Sequence, residues 1–183
     1  MSWHQSLGYG NNRQKDDYYT TPKVAVSELL RVEKFASPIW EPASGNGAIS
    51  KILETSGYQV ISSDIRTDGV YGESGVDFLT TRKENIAAII TNPPFKLSLE
   101  FILHALEMAP KVAMFGRVQM LEGQKRYEKL FSNAPPARIW VFSKRVSTQK
   151  NGVGKENGTV CFAWFVWEKG TVEAPKIGWI NVR

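Results

Sequence analysis

The chain has 183 residues, enough for one compact domain and short for two, and its 42% hydrophobic and 22% charged residues suit a folded protein rather than a disordered one. Lys and Arg outnumber Asp and Glu 23 to 18, and the single cysteine, Cys161, excludes an internal disulfide. The longest apolar run, Cys161 to Trp167, falls far below the roughly 20 residues of a membrane-spanning helix, and the opening MSWHQSLGYGNNRQKDD lacks the apolar stretch of a signal peptide, so a cytoplasmic protein without membrane association is expected.

In chain order, residues 1–17 are polar and rich in Gly and Asn and read as a loose arm ahead of a domain over 18–183. A helix starts at Pro22, with Thr21 as N-cap and the proline in the first helical position; KVAVSELLRVEKF then places its apolar residues mostly on one face. A short strand near Pro38–Trp40 runs into the turn EPASGNG, and a helix from about Ala48 to Ser56 stops at Gly57. QVISSD and IAAIIT (86–91) are strands, the second followed by NPPF and an amphipathic helix around LSLEFILHALEM that Pro110 closes. KVAMF is a further strand and Glu122–Phe131 a helix. RIWVF and CFAWFVWE are two aromatic-rich strands joined by the Gly- and Lys-rich segment 143–158. Alternating strands and helices imply an α/β fold with a mainly parallel sheet covered on both faces; two successive strands without a helix imply an antiparallel hairpin at one edge.

The charge is concentrated. From Lys111 to Lys155 ten Lys or Arg face only Glu122 and Glu128. Such a stretch is either a solvated basic face or a surface for phosphates, whose condensed counterions it would displace. The two histidines, His4 and His104, lie far apart and there is no cysteine cluster, so no metal is expected. Cys161 is expected in the core.

Two segments carry chemistry. Ser44-Gly45-Asn46-Gly47 follows the first strand, where glycines permit a tight turn and a close approach of backbone to ligand. Asp64 ends the next strand, 19 residues after Gly45, at the spacing from which an acidic residue accepts hydrogen bonds from a ribose diol. The pair points to a nucleoside-bearing cofactor. Asn92-Pro93-Pro94-Phe95 follows the strand IAAIIT, and its two prolines fix φ twice and stiffen a segment at the ligand-binding end of the sheet. Asn92 Oδ1 and the Pro93 carbonyl suit the NH₂ of a planar amine, and Phe95 suits its ring.

Taken in order, DYYTTP, EPASGNG, SSDI, VDFL and NPPF resemble the S-adenosylmethionine-dependent adenine-N6 methyltransferases, above all the DNA-modifying members. The resemblance is carried by residues 18–115, and small stand-alone forms of this kind resemble phage or prophage enzymes. It implies a Rossmann-like methyltransferase domain. It also implies that Tyr19, Thr20 and Thr21 lie near the methionine carboxylate, and that Glu41, Ala43, Gly45 and Gly47 line the methionine and ribose side. Asp64 would hold the ribose hydroxyls and Ile65 would pack on the cofactor adenine; Asp77 would bind the exocyclic amine and Phe78 would border the ring. Asn92, Pro93, Pro94 and Phe95 would hold the target base. Lys144, Arg145 and Lys150 would belong to a nucleic-acid clamp in the 143–158 segment. No aromatic falls between Phe142 and Phe162, where many relatives carry one against the flipped base. Nor is there room for a separate recognition domain, which implies low sequence specificity, specificity carried by loops, or a partner. The expectation is a methyl transfer to adenine N6 in DNA. RNA is the alternative substrate, and a catalytically silent nucleic-acid-binding subunit of the same fold is the alternative class.

Overall fold

The computed structural model describes residues 19–146 and 160–182. Helix α1 (Lys23–Val32) buries Ala25, Val26 and Leu29, the expected apolar face. It begins one residue later than expected. Pro22 has extended backbone (ψ 138°) and takes the cap position itself, with no side-chain cap; Thr21 is instead buried. Strands β1 (Ile39–Glu41), β2 (Val60–Asp64) and β4 (Ala88–Thr91) fall within a residue or two of the expected runs, as do α2 (Ser50–Thr55) and α3 (Ser98–Met108). β5 (Lys111–Arg117) is followed by the short helix α4 (Gln124–Arg126), which continues as a π turn over Tyr127–Phe131.

The sheet has the order β3-β2-β1-β4-β5-β7-β6-β8, where β3 is Glu73–Ser74, β6 Arg138–Phe142, β7 Phe162–Glu168 and β8 Lys176–Ile180. Strands β1 to β5 pair in parallel. The expected hairpin is present: β7 runs antiparallel to both β5 and β6 and slots between them. It is not outermost, because β8 adds beyond β6 in parallel. β8 escaped the sequence reading through Gly178, a residue that weakens a strand pattern. The Trp140 ring lies where a Cβ on Gly178 would be, so the glycine is there to admit the indole.

Both faces are covered. α3 and Leu130 of the π turn pack with Trp40, Phe78, Ile89 and Phe165 on one side; α1 and α2 pack with Ile39, Ile90, Phe115 and Trp164 on the other. This is why Phe162 to Trp167 are buried in unbroken succession rather than alternately. Cys161 corrects the expectation of a core cysteine: it precedes β7, lies beyond the covered sheet and is exposed. No described helix is long and apolar enough to cross a membrane. The topology delivers Glu41, Asp64, Thr91 and Arg117 to one carboxyl edge, the side on which ligands bind in such sheets.

Candidate active site at the carboxyl edge

The turn after β1 is built on Asp64. Its Oδ2 accepts the Gly45 N–H at 2.8 Å and its Oδ1 the Arg66 N–H at 2.9 Å, and the residue is 5% exposed. An ionised carboxylate has about four acceptor positions, so about two remain for a ligand. Gly45 has φ +52° and its carbonyl accepts the Tyr71 N–H. Gly47 has another duty than the expected one. With φ +78°, a Cβ there would stand 2.5 Å from Tyr71 Cγ, so this glycine admits the Tyr71 ring and is not in the cleft lining. Gly45 is likewise absent from the lining, while its neighbours Ala43, Ser44 and Asn46 are in it.

The cleft measures about 820 Å³ counted to its open mouth. Asp64 and Ile65 form one wall; Ile65 is 61% exposed, an apolar side chain presented to the cleft rather than to the core. Asp77 lines it with Oδ1 already accepting the Leu79 N–H, and Phe78 borders it while its ring packs edge-on against Trp40 and His104 in the core. Tyr19, Thr20 and Thr21 close the cleft from the segment ahead of α1. Glu41 lies in the lining yet is 2% exposed. Burial pushes its carboxyl up to about 8, against the pull of hydrogen bonds from the Ser50 N–H and hydroxyl and aided by the charges of Asp64 and Glu54.

Asn92, Pro93 and Pro94 stand in the lining beside them. Asn92 Nδ2 donates to the Tyr19 carbonyl at 2.9 Å, and its buried Oδ1 has no hydrogen-bond partner. The Pro94 carbonyl is taken by the turn that follows, accepting the Leu97 N–H. Phe95 lies outside the lining. Its ring is stacked with Tyr19, centroids 5.4 Å apart, and carries the Arg117 guanidinium 4.3 Å from its centroid. The lining also holds residues that sequence reasoning did not assign to the site, among them Leu97, half-exposed, and Asn46. Leu97 follows NPPF closely, and that position was its only signal. Lys144 and Arg145 are exposed just past β6, at the same edge as the cleft; Lys150 lies outside the described residues, as does most of the 143–158 segment and the whole 1–17 arm. Among the described residues no group of three or more His, Cys, Asp or Glu is placed to hold a metal ion.

No protein-family model and no curated protein sequence matches the chain. Solved structures do. A proposed RNA methyltransferase from Pyrococcus horikoshii is 17% identical with a TM-score of 0.62, over 87% of this chain and 91% of that one. The modification subunit of a proposed type I restriction enzyme from Vibrio vulnificus is 13% identical with a TM-score of 0.58, over 96% of this chain and 49% of that one. A dimethyladenosine transferase from Plasmodium falciparum is 15% identical with a TM-score of 0.55, over 82% of this chain and 62% of that one. At such identities the likeness is one of fold alone, the Rossmann-like α/β fold that those structures share with this chain.

Proposed function

We propose that this protein methylates the N6 amine of adenine in nucleic acid, DNA by preference, with S-adenosylmethionine as the donor. The observation that carries the reading is the Asn92 carboxamide in the cleft, with its Nδ2 committed to Tyr19 and its Oδ1 buried without a partner. Such an acceptor is costly to leave unmet, and a ligand NH₂ would satisfy it.

The residues fit the cofactor. Asp64 has acceptor positions left for ribose hydroxyls, Ile65 offers an exposed apolar face to an adenine ring, and Asp77 Oδ2 is available to an exocyclic amine. When bound, the cofactor supplies a methyl group on an electrophilic sulfonium. Displacement is in line, so the chain's main task is placement of the amine about 3 Å from that carbon. Asn92 Oδ1 and the Pro93 carbonyl would accept from the amine, turn its lone pair towards the methyl, and stabilise positive charge growing on nitrogen. The prolines hold these groups before substrate arrives.

A target base must leave its stack to enter such a cleft, at a cost of a few kcal/mol in a duplex. Phe95 remains the proposed stacking partner, and the Tyr19 ring that now lies on it would have to yield. The nucleic-acid preference draws on the basic stretch, whose Lys144 and Arg145 are exposed at the same edge of the sheet as the cleft. The proposal treats 18–183 as the catalytic domain and 1–17 as an arm. A labelled-methyl assay on single-stranded DNA, duplex DNA and RNA, followed by nucleoside analysis, tests it. N6-methyldeoxyadenosine is expected; N4-methylcytosine or no transfer to any polymer overturns the reading.

A further inference from the structure

Arg117 is the last residue of β5, next to β4 in the sheet. The two strands run parallel with Thr91 opposite Met114, so Arg117 reaches the carboxyl edge level with Pro94. Its guanidinium carbon lies 4.3 Å from the centroid of the Phe95 ring, and that ring stacks with Tyr19, a residue of the cleft. Three other cations of the basic stretch have carboxylate partners: Lys111 with Glu33, Lys125 with Glu100, Arg138 with Glu33 and Glu168. Among the described residues Arg117 has no carboxylate partner, and its Nε is buried without any hydrogen-bond acceptor. A guanidinium laid on an aromatic ring is held in orientation, with its donor edge unspent.

We infer that Arg117 receives a phosphate of the substrate chain, adjacent to the target adenosine, with Phe95 as the platform that orients it. The inference rests on the function proposed above and names the residue that would hold the substrate's phosphodiester backbone at the target. A planar fork of N–H donors matches two phosphate oxygens at once. An anion at this point would satisfy the buried Arg117 Nε, which has no acceptor among the described residues. It would also fix the backbone of the nucleotide whose base is extruded, the role that phosphate contacts play generally. In the sequence Arg117 is merely one of ten basic residues; the contact with Phe95 singles it out.

The test is binding of a labelled pyrimidine oligodeoxynucleotide with a single adenine, measured by anisotropy across a salt series. Each phosphate flanking the adenine is replaced in turn by a neutral methylphosphonate. Wild type should lose about tenfold or more in affinity at one linkage, the loss of one charge-assisted contact. Arg117→Gln should bind all the oligonucleotides alike, with a salt slope smaller by about 0.7 on single strands. Arg117→Lys, which keeps charge but not the fork, should fall between. Thermal melting of each variant reports whether Phe95 is still supported. If Arg117→Gln stays as sensitive to the neutral linkage as wild type, Arg117 holds no phosphate and the inference falls alone. If wild type binds and methylates no oligonucleotide, the inference and the proposed function fall together.

Discussion

Asn92 and Tyr19 are held together by a single hydrogen bond from Nδ2 of the one to the carbonyl of the other, 73 residues apart in the chain. A carbonyl only accepts, so the bond fixes which end of the amide is which and leaves Oδ1 as the atom on offer. Asn92→Ala should therefore lower methyl transfer on the order of 10²–10³-fold, the usual loss for one preorganised partner, and leave cofactor affinity in calorimetry unchanged. Asn92→Asp sets a carboxylate oxygen against the Tyr19 carbonyl. That variant should melt below Asn92→Ala, since repulsion is worse than absence.

Asp64 uses both carboxylate oxygens on backbone N–H groups, Gly45 on one and Arg66 on the other. An amide at this position would turn an NH₂ towards one of those donors. Asp64→Asn should then behave like Asp64→Ala, each weakening cofactor binding by about 1.5–3 kcal/mol as a charged acceptor is lost. Calorimetry with S-adenosylmethionine measures this directly, and wild-type affinity in Asp64→Asn would count against the assignment.

Glu41 binds a proton more tightly in the folded chain than in the unfolded one, about 8 against an ordinary 4.5. Between those values the folded state holds the extra proton, so stability should be greatest below about 4.5 for this group and fall as pH rises towards 8. Glu41→Gln should flatten that part of the stability profile in denaturant titrations. A cationic ligand in the cleft would draw the group back to its ionised form. Cofactor binding near pH 7 should accordingly release a proton in wild type and none in Glu41→Gln, read from calorimetry in buffers of different ionisation heat.

Glu33 follows α1 with its side chain 3% exposed, at the negative end of the helix dipole. Burial pushes its carboxyl up, but hydrogen bonds from Arg138, Lys111 and Trp140 together outweigh that and hold it below its ordinary range. Its contribution should be present above the unfolded value of 4.5 and disappear as pH falls through the lowered folded value. Glu33→Ala leaves Lys111 and Arg138 only the part-exposed Glu168 and should cost about 1.5–3 kcal/mol in denaturant unfolding. Glu28→Ala breaks only the exposed pair with Arg31 and should cost under about 1 kcal/mol.

The strands and helices that position the cleft were legible because their hydrophobic runs are bounded by Gly and Pro. What escaped depends on contacts between distant residues. β8 is interrupted by the glycine that admits Trp140, and β3 is two residues long, with Gly72 seated so close under Ser62 that a Cβ would strike the Ser62 carbonyl. Within the site, Asp64 and the Asn92–Pro94 segment, read from the sequence, and Ile65 and Asp77, implied by the resemblance, do line one cleft. Gly47 shows the limit: a glycine that approaches a ligand and one that approaches Tyr71 are written with the same letter. The Tyr19–Phe95 stack and the solitary Arg117 have no local pattern at all, since each is made by the meeting of strand ends.

Strand β7 lies between β5 and β6, although β6 comes earlier in the chain. β6 therefore has no place in the sheet until residues 162–168 arrive, and β8 pairs only with β6. Until then the apolar flank of β5 and the side chains of Ile139, Trp140 and Phe142 have no partner strand to cover them. Completion of the sheet is a late, long-range event of the kind that slows folding and exposes sticky intermediates. During synthesis on the ribosome the cleft residues up to Asn92 emerge well before the strand that locks their sheet. A chain cut short before β7 should be an aggregating species rather than a smaller folded domain.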